Sequence, residues 1–525
     1  YSTGSLTMAG TRKTKAIAEY GDFQTPADLA IQVCALLARQ RERPAAILEP
    51  TCGIGNFIFA AADAFPAAQP VIGVEINPTY VSVARERAAN LRLSARVQVR
   101  EGDFFSFPWP EVLPELPDPL LVIGNLPWVT NSTLGGLGSN NLPDKRNHGA
   151  QRGIVALTGK SNFDISEWML QQMLHWMEGR LATIAVLCKT AVARKVLAYA
   201  WSQDLAIGGA AIYHIDAVRH FGATVDACLF VLRTAPSGVQ PTCHVFSSLD
   251  AAQPEHEIGM RNGRLVANIA AYERWQHLDG VSPLQWRSGI KHDCTRVMEL
   301  RLVHQRLFNG LDECVEIESD FVYPMLKSSQ LTKDTYSIEH RFMVVPQRTI
   351  GEDTRALQQR APSTWRYLAA HGDLLDRRAS RIYRAQPRFA IFGVGAYAFA
   401  PWKVVISGFY KQLDFRVIGP HAGKPVVLDD TCYFLPCQVE AEARRLAYLL
   451  NSAPAQEFFN ALIFWDAKRP ITAEILGRLD LRKLADELDL PASERSLFLE
   501  TAGVTDPPPG NAIQGALFGE PESNS

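Results

Sequence analysis

The sequence predicts an α/β protein: a doubly wound sheet of seven strands in the first half, then a mixed α+β unit of finer grain. Three observations carry this. From Ala46 to about Thr234 short apolar runs alternate with helical patterns, the rhythm of a mostly parallel sheet. After about residue 245 that rhythm gives way to short strands, short helices and many aromatics. The length, 525 residues, exceeds the roughly 100 to 200 residues of an ordinary domain.

The expected strands are AAILEP (45–50), VIGVEI (71–76), RVQVRE (96–101), PLLVIGN (119–125), ATIAVLCK (182–189), AAIYHIDAV (210–218) and DACLFVLRT (226–234). Each is an aliphatic or β-branched run between turn formers. Helices are expected over 27–40, after Gly55, over 78–91 with proline at the first position, and over 164–178, where Ser161 or Asp164 caps the first turn. A boundary is expected between 235 and 253, near APSGVQP, giving a first domain over 11–245 and a second over 246–500. The second carries helical patterns at 438–451 and 454–463. Residues 1–10 read as a remnant of expression with Met8 as the natural start, and 501–525, with DPPPG and a polar end, as a disordered tail.

Composition narrows the class of function. At 47% hydrophobic and 21% charged the chain has ample apolar mass for two cores. No apolar run approaches the roughly 20 residues that span a bilayer, and the start is no signal peptide, so a soluble cytoplasmic protein is expected. Nine cysteines without a CxxC pair argue against a disulfide framework or zinc ribbon, and no metal is expected. With 53 basic and 55 acidic residues the net charge is −2, so any nucleic-acid partner must be met by a local patch.

Four patterns stand at the ends of consecutive strands. ILEPTCGIGNF (47–57) runs a strand into a Gly-x-Gly turn that opens a helix, where a ligand can approach the backbone closely; the same turn also serves simple helix packing. VIGVEINP (71–78) presents Glu75 about 20 positions later, the spacing at which an acid accepts ribose hydroxyls, or caps the helix from Pro78. REGDFFSF (100–107) ends in Asp103 and Phe104, suited to an adenine amino group and its ring, or to core packing. LLVIGNLPWVTN (120–131) delivers Asn125, Leu126, Pro127 and Trp128 to the carboxyl edge of the sheet. A conjugated exocyclic amine is a poor nucleophile. An Asn oxygen and a backbone carbonyl accepting its two N–H bonds localise the nitrogen lone pair, while Pro127 stiffens the turn and Trp128 offers a stacking face.

Together with DFQTP (22–26), these segments resemble motifs X, I, II, III and IV of amino-methylating, S-adenosylmethionine-dependent DNA methyltransferases. Their order is similar to the gamma class, which methylates adenine at N6. The resemblance covers about 22–234 and implies a class I methyltransferase fold with S-adenosylmethionine as cofactor. It implies that Phe23, Thr25 and Pro26 border the methionine part, and that Glu49, Pro50, Gly53 and Gly55 hold the amino-acid end. Glu75 and Ile76 would take ribose and adenine, and Asp103 and Phe104 adenine. Asn125, the Leu126 carbonyl, Pro127 and Trp128 would then bind the target adenine, flipped out of the duplex. HFGATVDACLFVL (220–232) resembles motif VIII, with Phe221 as a second aromatic surface. One departure stands out: Leu126 occupies a place where the family usually has proline.

Between the catalytic turn and the next helix, 130–163 carries Lys145, Arg146, Arg152 and Lys160, and this length of loop is expected to close over DNA. Its LTGKS is no phosphate loop, since Gly153 is misplaced relative to Gly159 and no strand precedes it. In the second half Arg377, Arg381 and Arg384 are expected on one helix face, with Arg378 and Arg388 nearby, as phosphate contacts. FGVGAYAFAPWKVVISGFYK (392–411), with Lys403 and Lys411, and FWDAKRPITAEIL (464–476) resemble segments of TaqI-type specificity domains. QGALF (514–518) is similar to peptides that dock on the bacterial sliding clamp. The expected function is adenine-N6 methylation of duplex DNA by base flipping, within a restriction–modification or phage-defence system that supplies a cognate endonuclease or defence subunit as partner. Methylation of a protein glutamine or an RNA base, or a non-catalytic DNA-specificity role, are the rival readings.

Overall fold

The computed structural model describes residues 24–128, 164–234, 241–331 and 340–491. Phe23, the 129–163 segment with Lys145 and Arg146, and the QGALF tail lie outside the described residues.

All seven expected strands form: β1 (Ala46–Glu49), β2 (Val71–Glu75), β3 (Val97–Glu101), β4 (Leu120–Asn125), β5 (Ala182–Lys189), β6 (Ile207–Ile215) and β7 (Ala227–Thr234). Three more follow: β8 (Thr242–Phe246), β9 (His256–Arg261) and β10 (Arg264–Val266). They form one sheet in the order β10-β9-β8-β6-β7-β5-β4-β1-β2-β3, the seven expected strands with three more added beyond β6. The five strands from β3 to β5 run parallel, and β7 enters antiparallel between β5 and β6. Every residue of β1 is buried, as a central strand covered on both faces requires, whereas the edge strand β3 alternates buried and exposed.

The expected helices are α1 (Ala27–Arg39), α2 (Asn56–Ala64), α3 (Pro78–Asn90) and α4 (Ile165–Trp176). Asn77 caps α3 by accepting from the Thr79 N–H, and Asp164 caps α4. α5 (Thr190–Ser202) and the short α6 (Ala217–Phe221) also belong to this unit. β6 starts three residues before the expected 210 and stops at Ile215, because the Asp216 side chain accepts the Arg219 N–H and turns the chain into α6. Phe221 is the last residue of that helix.

The first unit runs through Ala270 and the second begins at Ala271, later than the expected boundary at 245. The difference has a simple cause: β8 pairs parallel with β6, Cys243 opposite Ala210, so the strands after 241 extend the first sheet.

The second unit contains β11 (Arg287–Ser288), β12 (Glu299–Val303), β13 (Arg306–Phe308), β14 (Val322–Leu326), β15 (Arg341–Val344), β16 (Trp402–Ser407), β17 (Arg416–Ile418), β18 (Val427–Leu428) and β19 (Cys432–Cys437). They make a four-stranded sheet, β11-β19-β16-β17, and a five-stranded one, β13-β12-β15-β14-β18. Its helices include α7 (Pro362–Ala370), α8 (Gly372–Asp376), α9 (Glu440–Leu450) and α10 (Ala453–Leu462). The last two answer the expected patterns. The arginine ladder does not form. α8 ends at Asp376, Arg377 is its C-cap, and a separate 3-10 turn covers Arg381–Tyr383. Arg378 is drawn inward, donating to the Leu375 and Ala390 carbonyls at 2.7 Å each and lying 3.7 Å from the Tyr383 ring centre.

Among the described residues no helix is long and apolar enough to cross a membrane, and no cluster of His, Cys, Asp and Glu is suited to hold a metal ion.

Candidate functional site

The sheet changes direction at β1. The chain leaves it towards β2 and β3 and returns on the other side as β4, which places a crevice beyond the carboxyl ends of these strands. The turn after β1 bends sharply there. Gly53 has φ +51° and Gly55 φ +87°, left-handed conformations that cost residues with a Cβ about 1 kcal/mol or more. The Gly55 N–H closes the turn on the Cys52 carbonyl at 2.8 Å, and Pro50 is buried at its entrance.

Glu75, at the tip of β2, braces this turn. Its Oε2 accepts the Gly53 N–H and its Oε1 the Asn77 N–H, both at 2.8 Å. Ile76 beside it is 39% exposed, an apolar side chain left at the strand tip. From the other side the Thr25 carbonyl accepts from Asn56 Nδ2 at 2.8 Å, and Pro26 is the N-cap residue of α1. The 24–26 stretch thus lies against the glycine turn.

Glu49 ends β1 and is 3% exposed. Its Oε2 accepts the Ile58 N–H at 3.0 Å, and a Cβ added at Gly124 of β4 would lie 3.3 Å from its Cγ. Burial drives its carboxyl well above the usual range; the Ile58 N–H opposes this, and the charge of Glu75 adds to it.

At the tip of β3, Asp103 Oδ1 accepts the Phe105 N–H at 3.0 Å and its carbonyl accepts from Phe107 at 2.8 Å. Phe104 is buried among other rings, 5.6 Å from Trp109 and 5.3 Å from Trp176. The outer rim of this cluster is Phe105 against Trp168, centroids 5.4 Å apart. Trp168 comes from α4 and was not singled out in the sequence; its only trace there is a tryptophan one turn after the Asp164 cap.

At β4 the expected residues meet the glycine turn. Thr51 Oγ1 donates to the Asn125 carbonyl at 3.2 Å, and the Leu126 N–H donates to the Leu187 carbonyl of β5 at 3.2 Å. Pro127 follows. Trp128 is buried in the core that includes Leu187 and Leu229, and Phe221 touches it edge-on, centroids 4.9 Å apart at 67°. Asp103, Glu75, the glycine turn and Asn125 thus stand on neighbouring strand tips, with spacings of about 4.8 Å per strand and about 14 Å in all.

The expected DNA contacts fare unevenly. Arg377, Arg384 and Lys411 are exposed, and the Arg381 backbone lies in the 3-10 turn. Lys403 is 1% exposed. It occupies β16, where inward and outward positions are both covered, and its Nζ donates to the Ala400 carbonyl at 2.6 Å, 5.8 Å from the Phe434 ring centre. Burial lowers its pKa to about 7. Lys403 is a core residue and cannot touch phosphates.

Residues 42–115 match a family described as a methyltransferase domain. The Type II methyltransferase M.NspV of a Nostoc species is 44% identical over 474 residues, covering 90% of this chain and 98% of that protein. The Type II methyltransferase M.XamI of Xanthomonas campestris pv. amaranthicola is 32% identical over 115 residues, 22% of this chain and 21% of that protein. Among solved structures, the Type IIL restriction-modification enzyme MmeI in complex with DNA has a TM-score of 0.52 at 11% identity, covering 99% of this chain and 78% of that one. That likeness is one of fold.

Proposed function

This chain belongs to the Type II methyltransferases, and on that premise we propose that it methylates adenine at N6 in double-stranded DNA, in the manner of the gamma class, with S-adenosylmethionine as donor. The observation that supports the reading is the Thr51–Asn125 hydrogen bond, which sets the Asn125–Trp128 turn after β4 beside the glycine turn after β1.

The strand tips suit the donor. Glu75 would take the ribose hydroxyls, Ile76 and the Phe105–Trp168 rim the adenine, Asp103 the adenine amino group, and the buried Glu49 the ammonium of the methionine end. A run of about 14 Å along four strand tips accommodates a nucleoside with an amino-acid arm. When bound, S-adenosylmethionine supplies a methyl carbon activated by its sulfonium. The chain's own part is to prepare the acceptor. The Asn125 side-chain oxygen and the Leu126 carbonyl accept the two N–H bonds of the target amine, localise its lone pair and hold it in line. Trp128 stacks on the base. Phe221 already meets Trp128 edge-on, so a base enters between them as Phe221 swings aside; its place at the end of α6, before Gly222 at φ +67°, suits that movement. The flipped base reaches the site only after leaving the duplex stack.

The second unit is read as the target-recognition domain, of TaqI type. Exposed Arg377, Arg384 and Lys411 remain its candidate phosphate contacts, and a cognate restriction endonuclease its functional counterpart. Incubation with plasmid and labelled S-adenosylmethionine, followed by sequencing of modified bases, tests the whole reading. N6-methyladenine at one recurrent sequence is expected, and Asn125→Ala should abolish it while leaving donor affinity within twofold. Label in protein or RNA instead, or full activity in Asn125→Ala, refutes it.

A further inference from the structure

Trp128 and Asp164 flank residues 129–163, and the chain on both sides of that segment is fastened to the same strand. On one side the Leu126 N–H donates to the Leu187 carbonyl of β5 at 3.2 Å. On the other, Lys189, the last residue of β5, places its Nζ 2.7 Å from Asp164 Oδ2. The Asp164 side chain is 9% exposed, and its other oxygen accepts the Ser166 N–H at 3.2 Å and the Ser166 hydroxyl at 2.5 Å. Beside it, Lys195 Nζ meets Glu167 Oε2 at 3.2 Å, which ties α4 to α5 as well. The same first turn of α4 carries Trp168 to Phe104 and Phe105.

The departure at Leu126 gives these ties a use. A proline there would fix the turn through its ring and could not donate a hydrogen bond. Leucine keeps the N–H, so the turn is held from outside, by the carbonyl of Leu187. Whatever fixes the tip of β5 against its neighbours then also fixes the Leu126 carbonyl.

We propose that the Asp164–Lys189 ion pair is a positioning element for methyl transfer: it locks the first turn of α4 to the tip of β5 and so holds the Asn125–Trp128 turn and the Trp168 rim in one arrangement. Neither residue touches the reacting atoms. The proposal rests on the reading of Asn125–Trp128 as the catalytic turn.

The test compares Lys189→Met, Lys189→Arg and the double variant Asp164→Asn/Lys189→Met with the wild-type chain and with Asn125→Ala, reading kcat on DNA, KM for S-adenosylmethionine and Tm. Lys189→Met strands a buried carboxylate and lowers Tm and kcat together. The double variant leaves no buried charge, and asparagine still caps α4, so its Tm returns to near wild type. Its kcat stays at least fivefold low with KM for S-adenosylmethionine within twofold, and Lys189→Arg stays within twofold of wild-type kcat. A double variant with wild-type Tm and wild-type kcat overturns the proposal. Should Asn125→Ala itself turn over at the wild-type rate, the catalytic reading of the turn fails instead; an inactive Asn125→Ala beside a fully active double variant sinks the ion pair alone.

Discussion

Glu75→Gln separates the two tasks the carboxylate is given. Its oxygens already accept the Gly53 and Asn77 N–H groups at 2.8 Å each, and each carboxylate oxygen has a second lone pair for a ribose hydroxyl. Glutamine keeps one oxygen and replaces the other with an amide NH2. Whichever way it turns, one backbone N–H then faces a donor, and one ribose hydroxyl loses its acceptor. A hydrogen bond to a charged group is worth about 1.5 to 3 kcal/mol net, and about 1.4 kcal/mol is a factor of ten. Affinity for S-adenosylmethionine or its demethylated product should therefore fall roughly ten- to hundredfold. Isothermal titration with the demethylated product measures this without turnover. Glu101→Gln is the control: Glu101 lies opposite Glu75 in the β2–β3 register and is exposed, so its loss should change affinity less than twofold. Unchanged binding in Glu75→Gln would refute the ribose assignment, and an equal loss in Glu101→Gln would trace the effect to net charge.

Two further outcomes follow from buried groups. Lys403, with its pKa lowered to about 7 by burial, takes up a proton more readily when the chain unfolds, so the folded state is penalised below its unfolded pKa and most fully below about 7. Lys403→Met should raise Tm, by most at neutral and acid pH and by little near pH 10, and should leave the salt dependence of DNA binding unchanged; a reduced salt slope would return Lys403 to the DNA surface. Glu49 has its carboxyl raised by burial, so its contribution to stability is full below the unfolded value and lost as pH rises through the folded one. Thermal melts should show the wild type losing ground to Glu49→Gln with rising pH, and donor binding should release a proton that Glu49→Gln does not, seen by calorimetry in buffers of different ionisation enthalpy. Equal proton release in both would remove Glu49 from the donor site.

The strands and the main helices of the first unit were legible because each is a local pattern: β1, β4 and β5 are continuous apolar runs, and Asn77 and Asp164 are side chains that cap the helices they precede. The boundary at 245 was misplaced because β8 joins its sheet through β6, more than thirty residues back in sequence, a pairing no local window contains. The arginine ladder failed for a related reason. Residues 377–384 have helical spacing, yet Arg378 gives up the surface for the Leu375 and Ala390 carbonyls, and α8 stops before them.

By itself the chain of letters determined the order of the strand-tip motifs, and with it the class of chemistry, because glycine, acid and Asn–Leu–Pro–Trp turns are each defined within a few residues. Tertiary structure alone decided which neighbours those motifs have. It put Lys189 on Asp164, Trp168 on Phe105 and Phe221 on Trp128, and it took Lys403 from the surface into the core. Such contacts join residues far apart in sequence, and burial depends on what the rest of the fold lays over a strand, which the strand's own residues do not encode.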